Sequence, residues 1–302
     1  IALALFEMEQ VDFAIWEVGL GGRLDATNII TPELSIITGI SLEHTEHLRP
    51  TLAAIAGEKA GIIKEGVPVI CGPLRKEAFD VIAAKAEALH APLTAVEPYS
   101  DPVRILRNAD GKASQLLTLE GSFVEIPLPG VYQRNNAKVA AAALSQLSAR
   151  FGFDRQTALG GLRYAEWPAR MQYIPERRLI IDGAHNPEGA EALAASLKEF
   201  YPDRKFHFLC GCFADKNANE VLRFFAPLAL DFQFIEFDGS GRKIRTAEEL
   251  SDLLRTLAPG CPSGQAELEP SLESLPAPDG ELTVLSGSLH MCGEALHFLN
   301  LL

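Results

Sequence analysis

Short, dense apolar runs alternate with longer segments of helical period along most of this chain, and that alternation constrains the fold more than any other feature. The runs are LSIITGI (34–40), VPVICG (67–72), RRLIID (177–182), FHFLCGC (206–212), DFQFIEF (231–237) and LTVLSG (282–287). Runs that are apolar on successive residues suit strands buried on both faces, and helices between them suit a mostly parallel sheet covered on both sides. FAIWEV (13–18) reads as a further strand, and IALALFEMEQ before it as the end of a buried apolar helix. A chain that starts inside such a helix, without an initial Met, reads as truncated at its front.

Helices are predicted near 52–63, 75–90, 136–150, 187–199, 218–228, 246–258 and 290–301. Residues 103–129 alternate in short runs around the turn Asn108-Ala109-Asp110-Gly111, which predicts a β-rich annex. LRYAEWPAR breaks the helical character and sets a boundary near Trp167-Pro168, giving domains 1–166 and 167–302. The Gly-, Pro- and Ser-rich stretch 259–280 reads as a surface loop. The fold class is therefore α/β, with two doubly wound domains.

At 302 residues and 47% hydrophobic, the chain has enough apolar side chains for two cores. Its 40 acidic and 27 basic residues give a formal charge of −13 without a Lys/Arg-rich run, which argues against nucleic acid as a partner. Cys71, Cys210, Cys212, Cys261 and Cys292 lack zinc-like spacing, and the i,i+2 pair Cys210 and Cys212 suits reduced core thiols. No apolar run is long enough to span a membrane and no leader pattern is visible, so the expected compartment is the cytoplasm.

Several polar residues fall where a plain core would not place them. Glu17 ends the first predicted strand and precedes Val-Gly-Leu-Gly-Gly; it either faces a ligand at the sheet rim or simply meets solvent. His44 follows the next strand in SLEHTEH, beside Glu43, Glu46 and His47, as a metal ligand or a surface imidazole. Lys59 shares a helical stripe with Leu52, Ile55, Ala56, Ile62 and Ile63, where its ammonium must snorkel, pair or change charge. Gln133 and Asn136, just before an Ala-rich helix, suit base recognition or capping. Arg170, at the domain junction, suits a phosphoryl grip or an ordinary ion pair. In IIDGAHNPE, Asn186 suits a helix cap, Pro187 the first helical position and Glu188 the positive helix end, which leaves Asp182 and His185 as a ligand-facing pair or as part of a plain polar loop.

EVGLGGRLDATN (17–28), LEHTEHLRPTLAAIAGEKAGIIK (42–64), YQRNNAKVAAAAL (132–144), WPARMQ (167–172), DGAHNP (182–187) and SGSLHMCGEAL (286–296) together resemble the folylpolyglutamate synthase / dihydrofolate synthase family. This is the folate branch of the Mur ligase superfamily. The resemblance implies a P-loop-type central ATPase domain, here without its phosphate loop, followed by a Rossmann-like C-terminal ligase domain, with ATP bound between them. It implies an ATP-dependent ligase that adds L-glutamate to dihydropteroate or reduced folates through an acyl phosphate, with a monomeric parent protein and an inactive isolated fragment. It assigns Glu17 and His44 to magnesium and Lys59 to a carbamate supporting the metal site. Asn136 is assigned to adenine with Gln133 beside it, Arg170 to the ATP phosphates, Asp182 and His185 to the nucleotide and reaction centre, and Ser288 to the glutamate pocket. The chain departs from the family pattern at Glu43, Arg49, Ala169 and Asn217. A Mur-type ligase for a cell-wall or cyanophycin-like substrate, and a non-enzymatic binding remnant, are the other readings.

Overall fold

The computed structural model describes residues 1–41 and 51–301. They form two compact units, residues 1–98 and 99–302. His44 lies outside the described residues, as do Glu43, Glu46, His47 and Arg49.

The first unit contains α1 (Ala2–Met8), β1 (Ser35–Ile37), α2 (Leu52–Lys59), β2 (Val69–Cys71), α3 (Lys76–Ala88) and β3 (Leu93–Ala95). Its strands form a parallel sheet in the order β1-β2-β3. Thr51 starts α2 by accepting the Ala54 N–H at 3.2 Å, satisfying one donor that the first turn leaves open. The predicted stripe then buries Leu52, Ile55 and Ala56, and Ala60 and Ile63 follow it into the core with Val69, Cys71, Ala78 and Ile82.

Two expectations for this unit need correction. Residues 13–18 form no strand: among the described residues no β-ladder includes them, and a parallel strand exists only through its neighbour's ladder. Ile15 is 96% exposed. Helix α1 buries no residue; Phe6 reaches Trp16 edge to face, with ring centroids 5.7 Å apart.

The second unit begins with the antiparallel sheet β4 (Arg104–Arg107), β5 (Ala113–Leu119) and β6 (Ser122–Ile126), the annex expected from the alternating runs. Helices α4 (Tyr132–Phe151) and α5 (Arg155–Gly160) follow. Then come β7 (Gln172–Ile174), β8 (Leu179–Ile181), α6 (Pro187–Phe200), β9 (Phe206–Cys210), α7 (Ala218–Phe225), β10 (Ala229–Ile235), α8 (Ala247–Leu257), β11 (Ser263–Ala266), α9 (Leu268–Glu273), β12 (Leu282–Ser286) and α10 (Leu289–Phe298). The sheet order is β11-β10-β9-β12-β8-β7, parallel except for the edge pair β7 and β8. The stretch 259–280 is thus a strand and a short helix as well as loop; SGQA in β11 carries no large apolar side chain to announce it.

Strand residues alternate between two cores, as period-two geometry requires. Phe206, Phe208 and Cys210 of β9 point with Val284 toward α6, α7 and α8, where Phe208 stacks on Phe225 and Phe232 with centroids 5.1 Å apart. Leu209, Leu285, Leu179 and Ile181 face the other way, onto Met291, Ala295 and Leu272. Four of the five free thiols are buried, including Cys210 and Cys212. No described helix is long and apolar enough to cross a membrane.

The annex and α4 pack in the same unit as this sheet. Ala113 joins the core beside α6. Arg107 donates to the Phe200 carbonyl, and Arg134 pairs with Glu199. The expected division at 166/167 therefore falls inside the second unit rather than at the separation at 98/99.

His207 clasps this sheet to the segment before β12. Its Nδ1 lies 3.0 Å from Asp231 Oδ2 and its Nε2 2.9 Å from Asp279 Oδ2, so both nitrogens need protons. Burial pushes the imidazole down, but the two carboxylate hydrogen bonds outweigh it and hold the group above its ordinary value. A raised imidazole stabilises the fold fully below its unfolded value of about 6.5 and loses that contribution as pH rises through the folded value. The urea midpoint is expected to fall over that window, and in His207→Gln the same pH range should produce a flatter response.

Candidate active site

The second unit brings Arg170, Asp182, His185 and Ser288 to the carboxyl ends of β8 and β12, the rim where open parallel sheets collect ligands. Asp182 follows β8 directly and is 4% exposed. Its Oδ2 accepts the Met171 N–H at 2.9 Å and the Tyr132 hydroxyl at 3.2 Å, and its Oδ1 accepts the Ala184 N–H at 2.9 Å. Burial pushes this carboxyl up; the two amides, Arg170 and Tyr132 oppose that by favouring the anion. Asp182 is therefore a knot joining three segments: the turn before β7, the first turn of α4 and the loop after β8.

Arg170 is displayed by a constrained backbone. Its neighbours Ala169 and Met171 are both left-handed, at φ 54° and 47°, and both are buried. Each such non-glycine residue costs about 1–2 kcal/mol, so the surrounding bonds must enforce the turn. The Gly183 N–H donates to the Ala169 carbonyl at 2.9 Å, and the Ala169 N–H donates to Gln172 Oε1 at 3.0 Å. The guanidinium Nη1 donates to the Ala169 carbonyl at 3.1 Å. A Cβ at Gly183 would lie 2.9 Å from Arg170 Nη1 and 2.6 Å from Leu289 Cδ1, so the glycine leaves room for both side chains.

His185 Nδ1 lies 2.9 Å from the Gly183 carbonyl. A carbonyl only accepts, so Nδ1 carries a proton, and in the neutral imidazole the lone pair is on Nε2. Asn186 then caps α6 by accepting the Gly189 N–H at 2.6 Å, with Pro187 in the first helical turn, as expected. The loop is tied to β12: Ser286 Oγ and the Gly287 N–H both donate to the Ala184 carbonyl, at 3.2 and 2.9 Å. Ser288 caps α10, accepting the Met291 N–H at 3.3 Å, and is 1% exposed.

Gln133 and Asn136 lie inside α4 rather than ahead of it, because the helix starts at Tyr132. The Val131 N–H donates to Ser196 Oγ of α6 at 3.0 Å, which fixes that start. Asn136 Nδ2 donates to Gln133 Oε1 at 2.9 Å, so two amides one turn apart form a single hydrogen-bonded edge. Tyr132, which sequence reasoning missed, has no periodicity signal; its contact with Asp182 spans 50 positions.

In the first unit, Glu17 is exposed on an extended segment rather than at a strand end, and Lys59 is half-buried as the last residue of α2. The glycine loop after Glu17 is wired to α2. The Arg23 N–H donates to the Glu58 carbonyl at 2.9 Å, and Arg23 Nη2 to the Gly57 carbonyl at 3.1 Å. Asn28 Nδ2 reaches the Arg23 and Gly61 carbonyls, each at 3.0 Å. Asp25 accepts the Gly19, Leu20 and Thr27 amides and the Thr27 hydroxyl; the hydroxyl and the amides lower its carboxyl to about 2. Much of this motif therefore shapes the loop. A Cβ at Gly61 would lie 2.4 Å from Arg23 Cα, a backbone collision, so Gly61→Ala is expected to cost about 1–3 kcal/mol in urea unfolding. Among the described residues no three His, Cys, Asp or Glu side chains are grouped to hold a metal.

Residues 169–278 match the family model for the Mur ligase, glutamate ligase domain. The dihydrofolate synthase/folylpolyglutamate synthase of Bacillus subtilis (strain 168) is 33% identical over 237 residues, 77% of this chain and 55% of that protein. The folylpolyglutamate synthase of Lacticaseibacillus casei is 37% identical over 225 residues, 70% of this chain and 50% of that protein. The chain thus spans about half the length of these relatives. Among solved structures, Mycobacterium tuberculosis folylpolyglutamate synthase complexed with ADP and AMPPCP superposes with a TM-score of 0.79 at 28% identity, covering 98% of this chain and 70% of that one.

Proposed function

Because the chain belongs to the folylpolyglutamate synthase / dihydrofolate synthase family of Mur ligases, we propose that the full protein is an ATP-dependent ligase joining L-glutamate to dihydropteroate, a reduced folate or both. The observation that carries this reading is the set Gln133, Asn136, Arg170, Asp182 and His185 within one compact unit, in a chain similar to enzymes solved with AMPPCP and folate. In this reading residues 1–166 belong to the central ATP-binding domain and 167–302 form the Rossmann-like ligase domain.

A carboxylate is a poor acyl donor until one oxygen becomes part of a leaving group. The substrate carboxylate therefore takes the γ-phosphoryl group, and the glutamate amine then displaces phosphate from the acyl phosphate. Arg170, whose guanidinium has a fixed donor fork, stabilises charge on the transferring oxygens. The Gln133 and Asn136 amides match the donor and acceptor edge of adenine. Asp182 ties the turn that carries Arg170 to the loop that carries His185. His185 Nε2, with its lone pair free, is suited to accept a proton near the attacking amine. Ser288 is assigned to the glutamate pocket.

Magnesium takes hard oxygen ligands, and exposed Glu17 would supply one. His44 is the second assigned ligand. The Lys59 ammonium is no ligand for a cation; only its carbamate would add oxygen donors, and its half-buried place leaves the amine within reach of carbon dioxide. Bound magnesium would neutralise charge on the phosphates. The reading places the monomeric enzyme in the cytoplasm, with pteroate or folate and L-glutamate as its partners and without nucleic acid or membrane.

Transfer of heavy oxygen tests the chemistry. With the substrate carboxylate labelled, the released phosphate is expected to carry label in each turnover. Unlabelled phosphate alongside product would overturn the acyl-phosphate route, and turnover with a UDP-linked peptide instead of a pteridine would move the protein to the cell-wall branch.

A further inference from the structure

We propose that Tyr132 is a positioning residue that acts through Asp182 to set the orientation of Arg170. The inference rests on the ligase reading, and it concerns a residue to which that reading gives no role.

Tyr132 opens the first turn of α4 and lies immediately before Gln133. Its hydroxyl donates to Asp182 Oδ2, the oxygen that also accepts the Met171 N–H. Met171 is the left-handed residue that follows Arg170. The path therefore runs from a phenol on the helix carrying the amide edge, through one carboxylate oxygen, to the backbone that displays the guanidinium. Two features hold the phenol in place. The Val131 N–H is tied to buried Ser196 Oγ on α6. At Gly130, with φ 113°, a Cβ would sit 2.8 Å from the Tyr132 ring, so the absence of a side chain there admits the aromatic.

The groups acting electrostatically on this carboxylate are Arg170 and Tyr132, with the Met171 and Ala184 amides, and Cys292 approaches from α10, its thiol donating to the Asp182 carbonyl at 3.5 Å. Removing the phenol hydroxyl takes away a donor that favours the anion, so Asp182 should titrate at higher pH. The freed oxygen keeps one amide, and the turn at Arg170 loses part of its restraint.

The test is Tyr132→Phe in the full-length protein, alone and combined with Arg170→Ala. Alone, the variant should raise KM for ATP and lower kcat/KM about tenfold, and it should move the acidic limb of the pH profile upward. In the Arg170→Ala background the same substitution should change kcat/KM and the Kd for ADP less than twofold, since the group it positions is gone. Equal losses in both backgrounds would show that Tyr132 acts independently of Arg170 and would overturn the proposal. Wild-type kinetics and an unmoved pH limb in the single variant would overturn it as well. If the single variant is less soluble, ADP affinity measured on its folded fraction gives the same comparison. Absence of ligase turnover in the wild-type protein would instead sink the underlying function.

Discussion

Arg170→Ala is expected to lower glutamate-ligase turnover of the full-length protein by about a thousandfold or more, the scale of an arginine that stabilises a phosphoryl-transfer transition state. The expectation follows from how the residue is presented. Two left-handed neighbours, Ala169 and Met171, hold a strained turn whose bonds run to Gly183, Gln172 and Asp182. A purely structural arginine would be expected to anchor itself in close side-chain ion pairs, yet among the described residues its guanidinium hydrogen-bonds the carbonyl of its own neighbour. Unfolding free energy should change far less than turnover, by about 1–2 kcal/mol, because the part-buried guanidinium also favours the buried Asp182 anion. Steady-state kinetics beside a urea titration separates the two effects; equal losses in stability and activity would assign Arg170 to the fold.

Asp182→Ala should produce the opposite balance, with a loss of about 3–5 kcal/mol in stability. The substitution leaves the Met171 and Ala184 amides and the Tyr132 hydroxyl facing a buried space with no acceptor. Each buried donor without a partner costs about 1–3 kcal/mol, and the sum is reduced where water enters. Asp182→Asn keeps one acceptor oxygen and should cost less, about half as much, because its amide NH2 still opposes a donor. Urea midpoints of both variants measure this; an alanine variant as stable as wild type would mean that the three donors find solvent.

The second unit was largely legible because its strands are buried on both faces. FHFLCGC, RRLIID and LTVLSG had to be central, and they are β9, β8 and β12. Asn186, Pro187 and Glu188 announced the start of α6 through local capping chemistry, which needs no tertiary information. Failures came where pairing or distance decides. FAIWEV has the composition of a strand, but composition supplies no neighbouring strand, and among the described residues the segment joins no sheet. SGQA has no strand-like composition, and parallel backbone pairing with β10 is what makes it a strand.

The candidate site divided in the same way. Asp182 and His185 stood out as polar residues at a strand end and Arg170 at the domain junction, but the contact that joins them to α4 passes through Tyr132, whose side chain gave no pattern to read. EVGLGGRLDATN looked like a ligand loop, whereas Asp25 and Asn28 spend their polar atoms on the loop's own backbone and on Gly61. Lys59 was legible as an oddity in an apolar stripe, and it ends α2 half-buried.

The most direct measurement is incorporation of labelled glutamate by the full-length protein with ATP and magnesium, offering dihydropteroate and tetrahydrofolate in separate reactions. Product with at least one is the expected result: tetrahydrofolate alone defines a chain-extending synthase, and dihydropteroate establishes dihydrofolate synthase activity. Binding of ATP without product from either acceptor would contradict the assignment.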